Sequence, residues 1–382
     1  MKYVDKPESV AEAARLIGAA PWASVDCEAD SLHHYVEKLC LIQISVPDHD
    51  FVVDPLAGAD LTPIMTAMSP KPLNLHGADF DIRMIRRFHG FRSTAHIFDT
   101  MIAAQLLGYD HQGYADLVER HCGEKLSKSS QKADWSRRPL DEKMLDYAVK
   151  DTHYLNPVKL QMEAELRELG RFEWHRQWCA RLLNALMNET DAPREETGRE
   201  WQVKGCRELS GKALTYLREL WYWRDKEARR RDRPSFKILN TEYLIEIAKW
   251  AVANPGTDAG MMPKAPSNVR HELREPINAA LKRADAQPQA FVTQERGKFE
   301  RKRWTNDDAK RFLQLKDERQ ALGNEFKLQP SLLGTNAALE ILASGAPKTR
   351  EEVEKLDCLM PWQIDLWEER LYKITNPPSK GS

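Results

Sequence analysis

Two carboxylates, Asp26 and Glu28, stand two residues apart at the end of a β-rich run, Val25-Asp-Cys-Glu. Along a strand, residues i and i+2 point to the same face, so these side chains meet side by side. Like charges that close oppose each other's ionisation unless a cation neutralises them, and carboxylate oxygens suit Mg2+ or Mn2+. A solvated strand end is the plainer alternative in so charged a chain. A second acidic motif is Leu73-Asn-Leu-His76-Gly-Ala-Asp-Phe-Asp81-Ile, in which a short strand ends at His76-Gly77 and a helix begins near Asp79. Asp81 either caps that helix or faces the region beyond a strand's carboxyl end, where α/β sheets bind ligands. In the third motif, Met144-Leu-Asp-Tyr147-Ala-Val-Lys-Asp151, Tyr147 and Asp151 are four apart and share one helix face. Leu145, Ala148 and Leu155 give that helix an apolar stripe on which to pack.

The elements that must position these groups are legible up to about residue 160. Runs at Trp22–Asp26, Leu39–Val46, Phe51–Asp54, Leu73–His76 and His96–Phe98 read as strands, the last two each followed by a helical apolar period. Pro47-Asp48-His49-Asp50 breaks the second run from the third and predicts a hairpin. All three motifs then fall in one α/β domain with a mixed sheet. From about Asn156 onward amphipathic helices take over, interrupted by polar linkers near 189–200, 253–268 and 285–303. Leu217–Ala248 and Phe312–Ala343 repeat one plan, a charged helix, a Pro-Ser step at Pro234 or Pro330, and a second helix, which predicts two related helical modules.

Taken in order, Asp26-x-Glu28, His76-Gly-Ala-x-x-Asp81-Ile and Tyr147-x-x-x-Asp151 resemble the three exonuclease motifs of the DEDD superfamily, tyrosine subgroup. Leu39-Cys-Leu-Ile-Gln-Ile, Phe98-Asp-Thr and Lys128-Ser-x-Gln131-x-x-Asp134-Trp135-x-x-Arg138-Pro-Leu look like its ribonuclease D branch, and both helical modules look like HRDC domains, the first more closely. The resemblance implies a ribonuclease H-like α/β exonuclease domain with a mixed sheet over 1–170, a helical linker over 171–203, and all-α HRDC-type domains over 204–285 and 300–378. It also implies two divalent metal ions, Mg2+ or Mn2+, with Asp26 bridging them, Glu28 and Asp151 on the nucleophile side and Asp81 on the leaving-group side. Tyr147 would orient the attacking water, because a phenol of ordinary pKa about 10 is a poor base at neutral pH. The expected activity is 3′→5′ exoribonuclease trimming of RNA such as tRNA precursors, releasing nucleoside 5′-monophosphates. A Werner-type DNA exonuclease would share all five residues. A non-catalytic RNA-binding protein is the other alternative, and the intact set of five argues against it. Ala29 departs from the relatives, which often carry Phe there.

Around this set stand further candidates. His76 could touch a product phosphate or simply bond to a turn. Lys128, Gln131 and Arg138 occupy a polar loop from which they could reach the substrate backbone, whereas Trp135 is expected to anchor that loop. Asp99 is expected to cap a helix, and Cys27 to be buried and inert. Arg229, Arg230, Arg231 and Arg233 form either a solvated face or a phosphate-binding patch, as does Arg301-Lys-Arg303. Residues 1–200 carry 24 basic and 32 acidic side chains (net −8) and the remainder 33 and 26 (net +7), as a metal-dependent unit with a polyanion-binding appendage would. The six cysteines are scattered singly, which supports neither a zinc ribbon nor a disulfide framework. No apolar run is long enough to span a bilayer, no signal peptide is read at the start, and no phosphate loop indicates a nucleotide cofactor. A soluble, cytoplasmic monomer acting on RNA is expected.

Overall fold

The computed structural model of the chain describes residues 1–189, 197–291 and 304–376. The basic stretch Arg301-Lys-Arg303 and parts of the linkers near 189–200 and 285–303 lie outside the described residues. The chain divides into two compact units: Met1–Ala29, Leu39–Asp191 and Lys298–Ser382 in one, Asp30–Lys38 and Ala192–Gly297 in the other.

In the first unit, β1 (Lys2–Val4), α1 (Pro7–Ala19), β2 (Ala23–Ala29), β3 (Leu39–Val46) and β4 (His49–Val53) precede α2 (Thr62–Met68), β5 (Leu73–Leu75), α3 (Ala78–His89) and β6 (Ile97–Asp99). The strands form one mixed sheet in the order β1-β4-β3-β2-β5-β6, with β3 antiparallel to its neighbours β2 and β4 and the β1–β4, β2–β5 and β5–β6 pairs parallel. Among the described residues no strand follows Asp99. All eight residues of β3 are buried, as a near-continuous apolar run covered on both faces requires. The predicted hairpin turns at Pro47 and Asp48, the latter at φ 65°. β1 was not visible in the sequence: three residues at a sheet edge are too short to show a period.

Helices α4 (Thr100–Leu107), α5 (Tyr114–Cys122), α6 (Glu142–His153), α7 (Leu155–Glu168) and α8 (Phe172–Asn188) complete the α/β part. The last helical module, built from helices at Asn306–Phe326, Asn336–Gly345, Arg350–Lys355 and Pro361–Thr375, shares its core with α8. The Trp174 and Trp362 rings stack at 4.8 Å, and Gln177 Oε1 accepts the Trp362 backbone N–H. Gly108 ends α4 at φ 75°, where a Cβ would stand 2.5 Å from the Lys327 carbonyl, so only glycine permits this approach. The second unit holds helices at Lys212–Arg231, Ser235–Ile238, Thr241–Ala253, Ser267–Arg270 and Arg274–Asp285 around their own apolar core. The β2–β3 loop, Asp30–Lys38, belongs to this unit and packs Tyr35 against that core. No described helix is long and apolar enough to cross a membrane.

Candidate active site

Asp26 and Glu28 sit on β2, and the register shift between Glu28 and Ala29 ends the regular ladder just beyond them. Helix α6 packs across β2, β3 and β4 and brings Asp151 to the same face. One carboxylate oxygen each from Asp26, Glu28 and Asp151 lie within 4.8 Å of one another. Asp81 is buried in the first turn of α3, which starts sharply after β5 because Gly77 adopts φ 77°. It stands outside the tight trio yet close enough to feel the charges of Asp26 and Asp151. On α6, one turn before Asp151, the Tyr147 hydroxyl is near enough to the Asp151 carboxyl for each to shift the other's ionisation.

These groups pay for their crowding in ionisation. Burial pushes Asp26 up to about 7, and burial with the adjoining Asp26 charge pushes Glu28 up to about 10 and Asp151 up to about 9. Asp81 is driven well above the usual carboxylate range by burial first and by Asp26 and Asp99 next. Burial and the nearby Asp151 charge raise the Tyr147 phenol. Among the described residues no basic side chain pairs with any of the four carboxylates. An oxygen-rich donor set with uncompensated negative charge fits hard divalent cations, and Cys27, alternating into the apolar core, offers them no sulfur.

The other candidates separate into supports and surface groups. Asp99 caps α4 by accepting from Met101 N and Ile102 N, and also accepts from Gly77 N and Ala78 N. His76 bonds through Nδ1 to Thr100 Oγ1 at 3.0 Å, and its ring leans on Tyr114 at 5.7 Å. Trp135 is fully buried with Leu41, Val52 and Ala148, beside the Tyr147 ring. Arg138, expected at the substrate backbone, is instead turned inward. Its Nε and Nη2 grip Asp54 at 2.6 Å each, Nη2 also reaches the Cys40 carbonyl and Nη1 the Trp135 carbonyl. That correction follows from a buried acceptor, Asp54, which the sequence pattern did not single out. Lys128 and Gln131 are exposed on the same loop, whose Ser127 and Ser129 line a cleft of about 290 Å3 with Lys143, Tyr147 and Asp151. A larger cavity of about 830 Å3 lies between β5, β6, α7 and α8 and contains none of the four carboxylates, whereas the smaller cleft is lined by Asp151.

In the second unit the arginine cluster is largely paired: Arg229 with Asp225, Arg230 and Arg231 with Glu227, and Arg231 also with Glu272. Arg233 is exposed. Sequence reasoning missed Thr100, which holds His76 and the Leu75 carbonyl, and Tyr114, whose hydroxyl donates to the Lys150 carbonyl. Thr100 stands in Phe98-Asp-Thr, but nothing in that motif's spacing points to its bond with His76, and Tyr114 stands in none of the motifs.

Residues 1–167 match the family described as 3′-5′ exonuclease, and residues 213–257 match the HRDC domain. The chain is 33% identical over 247 residues to a ribonuclease D of Sphingobium indicum, a stretch covering 63% of this chain and 62% of that protein. It is 27% identical over 381 residues to a ribonuclease D of Bartonella henselae, covering 97% and 89%. At the higher identity, the curated relatives are matched over only about three-fifths of their length. The crystal structure of Escherichia coli RNase D shares the fold, with a TM-score of 0.65, 22% identity and 98% of each chain covered. The chain thus carries a stretch that matches 3′-5′ exonucleases followed by one that matches the HRDC domain, and it is similar to the ribonuclease D homologues over the shares given.

Proposed function

We propose that this chain is a divalent-metal-dependent 3′→5′ exoribonuclease of the ribonuclease D type that trims the 3′ ends of structured RNA such as tRNA precursors. The observation that carries the reading is the convergence of Asp26, Glu28 and Asp151 within 4.8 Å, with Asp81 and Tyr147 beside them, in a domain that matches 3′-5′ exonucleases. Asp26, Glu28 and Asp151 would hold one Mg2+ or Mn2+, and Asp26 with Asp81 a second. Two such ions supply an activated water and neutralise charge on the attacking and leaving oxygens. Tyr147 stays protonated because its phenol is raised, so it orients the water by hydrogen bonding and does not abstract the proton. Attack at the terminal phosphorus expels the 3′-oxygen of the preceding nucleotide and releases a nucleoside 5′-monophosphate.

The RNA preference is drawn from the matching ribonucleases D, among them the Escherichia coli RNase D, an exoribonuclease involved in structured RNA processing. His76, Lys128 and Gln131 are proposed to contact the RNA backbone near the cleft, in a cytoplasmic, monomeric enzyme. Incubation with 3′-extended tRNA, single-stranded RNA and single-stranded DNA, each with Mg2+, Mn2+ or EDTA, tests the reading. Stepwise 3′ shortening of RNA that EDTA stops is expected. Preferential degradation of DNA would favour the Werner-type alternative, and absence of hydrolysis the non-catalytic one.

A further inference from the structure

Gln43 lies in the middle of β3, a strand otherwise built of aliphatic, Cys and Ser residues, and it is fully buried. Among the described residues neither its Nε2 nor its Oε1 has a hydrogen-bond partner. A buried amide with both ends unpaired is costly, and a leucine of similar size would fit an all-buried strand at no such cost. The location of Gln43 supplies the reason for an amide. In the β2–β3 ladder Gln43 is the direct partner of Asp26. Opposed residues of an antiparallel pair project to the same face with their Cβ atoms roughly 4.5–5.5 Å apart. That face is the one under α6: two residues along β3, Ser45 Oγ meets Thr152 Oγ1 of α6 at 2.7 Å, and two residues back, Leu41 packs with Ala148. Gln43 therefore lies beside Asp26 on the face covered by the helix that carries Tyr147 and Asp151.

We infer that Gln43 is a positioning residue of the metal centre, its Nε2 donating to the Asp26 carboxylate, directly or through one ordered water, when the centre is loaded. The inference rests on the reading of the acidic cluster as a metal site. Asp26 has acceptor capacity for this bond, since a carboxylate offers about four lone-pair sites and, among the described residues, no basic side chain pairs with it. With this bond, one oxygen is fixed and the other is presented toward Glu28 and Asp151. Hydrogen bonds to metal ligands of this kind commonly govern affinity as much as the ligands' own identity.

The test is Mn2+ binding to the full chain by titration calorimetry, paired with melting of the metal-free protein, for wild type, Gln43→Leu and Gln43→Met. Roughly tenfold to a hundredfold weaker Mn2+ binding is expected in both variants. Metal-free melting should be unchanged or higher, because an unpaired buried amide has been removed. A residue that merely fills space would leave Mn2+ affinity untouched. Wild-type affinity in both variants, or metal-free melting below wild type in both, would overturn the inference while leaving the metal centre standing. A wild-type chain that binds no Mn2+ would overturn the metal-centre reading and the role of Gln43 with it.

Discussion

The Asp99 carboxylate reaches from the start of α4 to the start of α3, where its Oδ2 accepts the Ala78 N–H at 2.8 Å. Its Oδ1 meanwhile accepts from Gly77 N at 3.0 Å and Met101 N at 2.8 Å, so one buried side chain caps two helices. Asp81 lies one turn into α3, and its position relative to Asp26 depends on where that helix begins. Asp99 thus fixes the start of the helix that carries Asp81, the proposed ligand of the second ion.

Asp99→Ala is expected to lower stability by roughly 2–4 kcal/mol, since each lost cap costs about 0.5–2 kcal/mol and the freed N–H groups are largely buried. Asp99→Asn, which keeps one acceptor oxygen, should lose less. Urea unfolding measures both. A loss under about 1 kcal/mol for the alanine variant would mean that other groups hold the two helix starts.

The acidic cluster sets how the metal-free protein responds to pH. Asp26, Glu28 and Asp151 are pushed up to about 7, about 10 and about 9, against roughly 4 in an unfolded chain. Between these limits the folded state holds more protons than the unfolded state, so stability falls as pH rises from about 4 through about 10. Saturating Mg2+ or Mn2+ should flatten that decline, because bound cations favour the ionised carboxylates. Asp26→Asn should raise metal-free stability at pH 8, retain the fold and abolish hydrolysis. Melting curves across pH with EDTA or Mn2+ give the answer, and a metal-free protein that grows more stable from pH 5 to 8 would contradict it.

Tyr147→Phe separates water orientation from metal binding. If the hydroxyl orients the attacking water and does not hold an ion, as proposed, the variant should bind Mn2+ within about twofold of wild type while turnover falls roughly 10–1000-fold, some 1.4–4 kcal/mol of barrier. Weaker Mn2+ binding at an unchanged metal-saturated rate would put Tyr147 among the metal-holding groups.

The sequence disclosed the site wherever chemistry and local period coincide. Asp26 and Glu28 fall at i and i+2 on a strand, and Tyr147 and Asp151 at i and i+4 on a helix, so each pair is a local fact about one element. Convergence of the pairs was legible only through the family resemblance, because it depends on how α6 crosses the sheet. Arg138 shows the opposite limit. Its neighbours in sequence make a polar loop, but its partners Asp54 and Cys40 lie 84 and 98 residues away, and no local pattern announces a buried acceptor at that distance. The same holds for the last helical module, whose place beside α8 is decided by Trp174 and Trp362.

The arginine cluster offers the remaining prediction. Glu227 and Glu272 hold Arg231 against the helical scaffold, and Arg229, though its side chain is 58% exposed, pairs with Asp225 and lies over the Tyr35 ring at 5.1 Å. Arg230 shares Glu227 but its side chain is 66% exposed, and Arg233 is exposed as well, so these two are the better placed to meet a phosphate. Exposed ion pairs are weak and screened by salt, so an RNA phosphate can compete with Glu227 for Arg230. Replacing Arg230 and Arg233 by Gln should therefore weaken tRNA binding and make it less salt-dependent, by up to about 0.7–0.9 in the log–log slope for each lost phosphate contact. Adding Arg229→Gln and Arg231→Gln should change the slope little further and lower the melting temperature instead. Binding measured from low to moderate salt distinguishes the two groups. An unchanged slope in the quadruple variant would make the whole cluster a solvated helix face, and the excess positive charge of residues 201–382 would owe nothing to these four side chains.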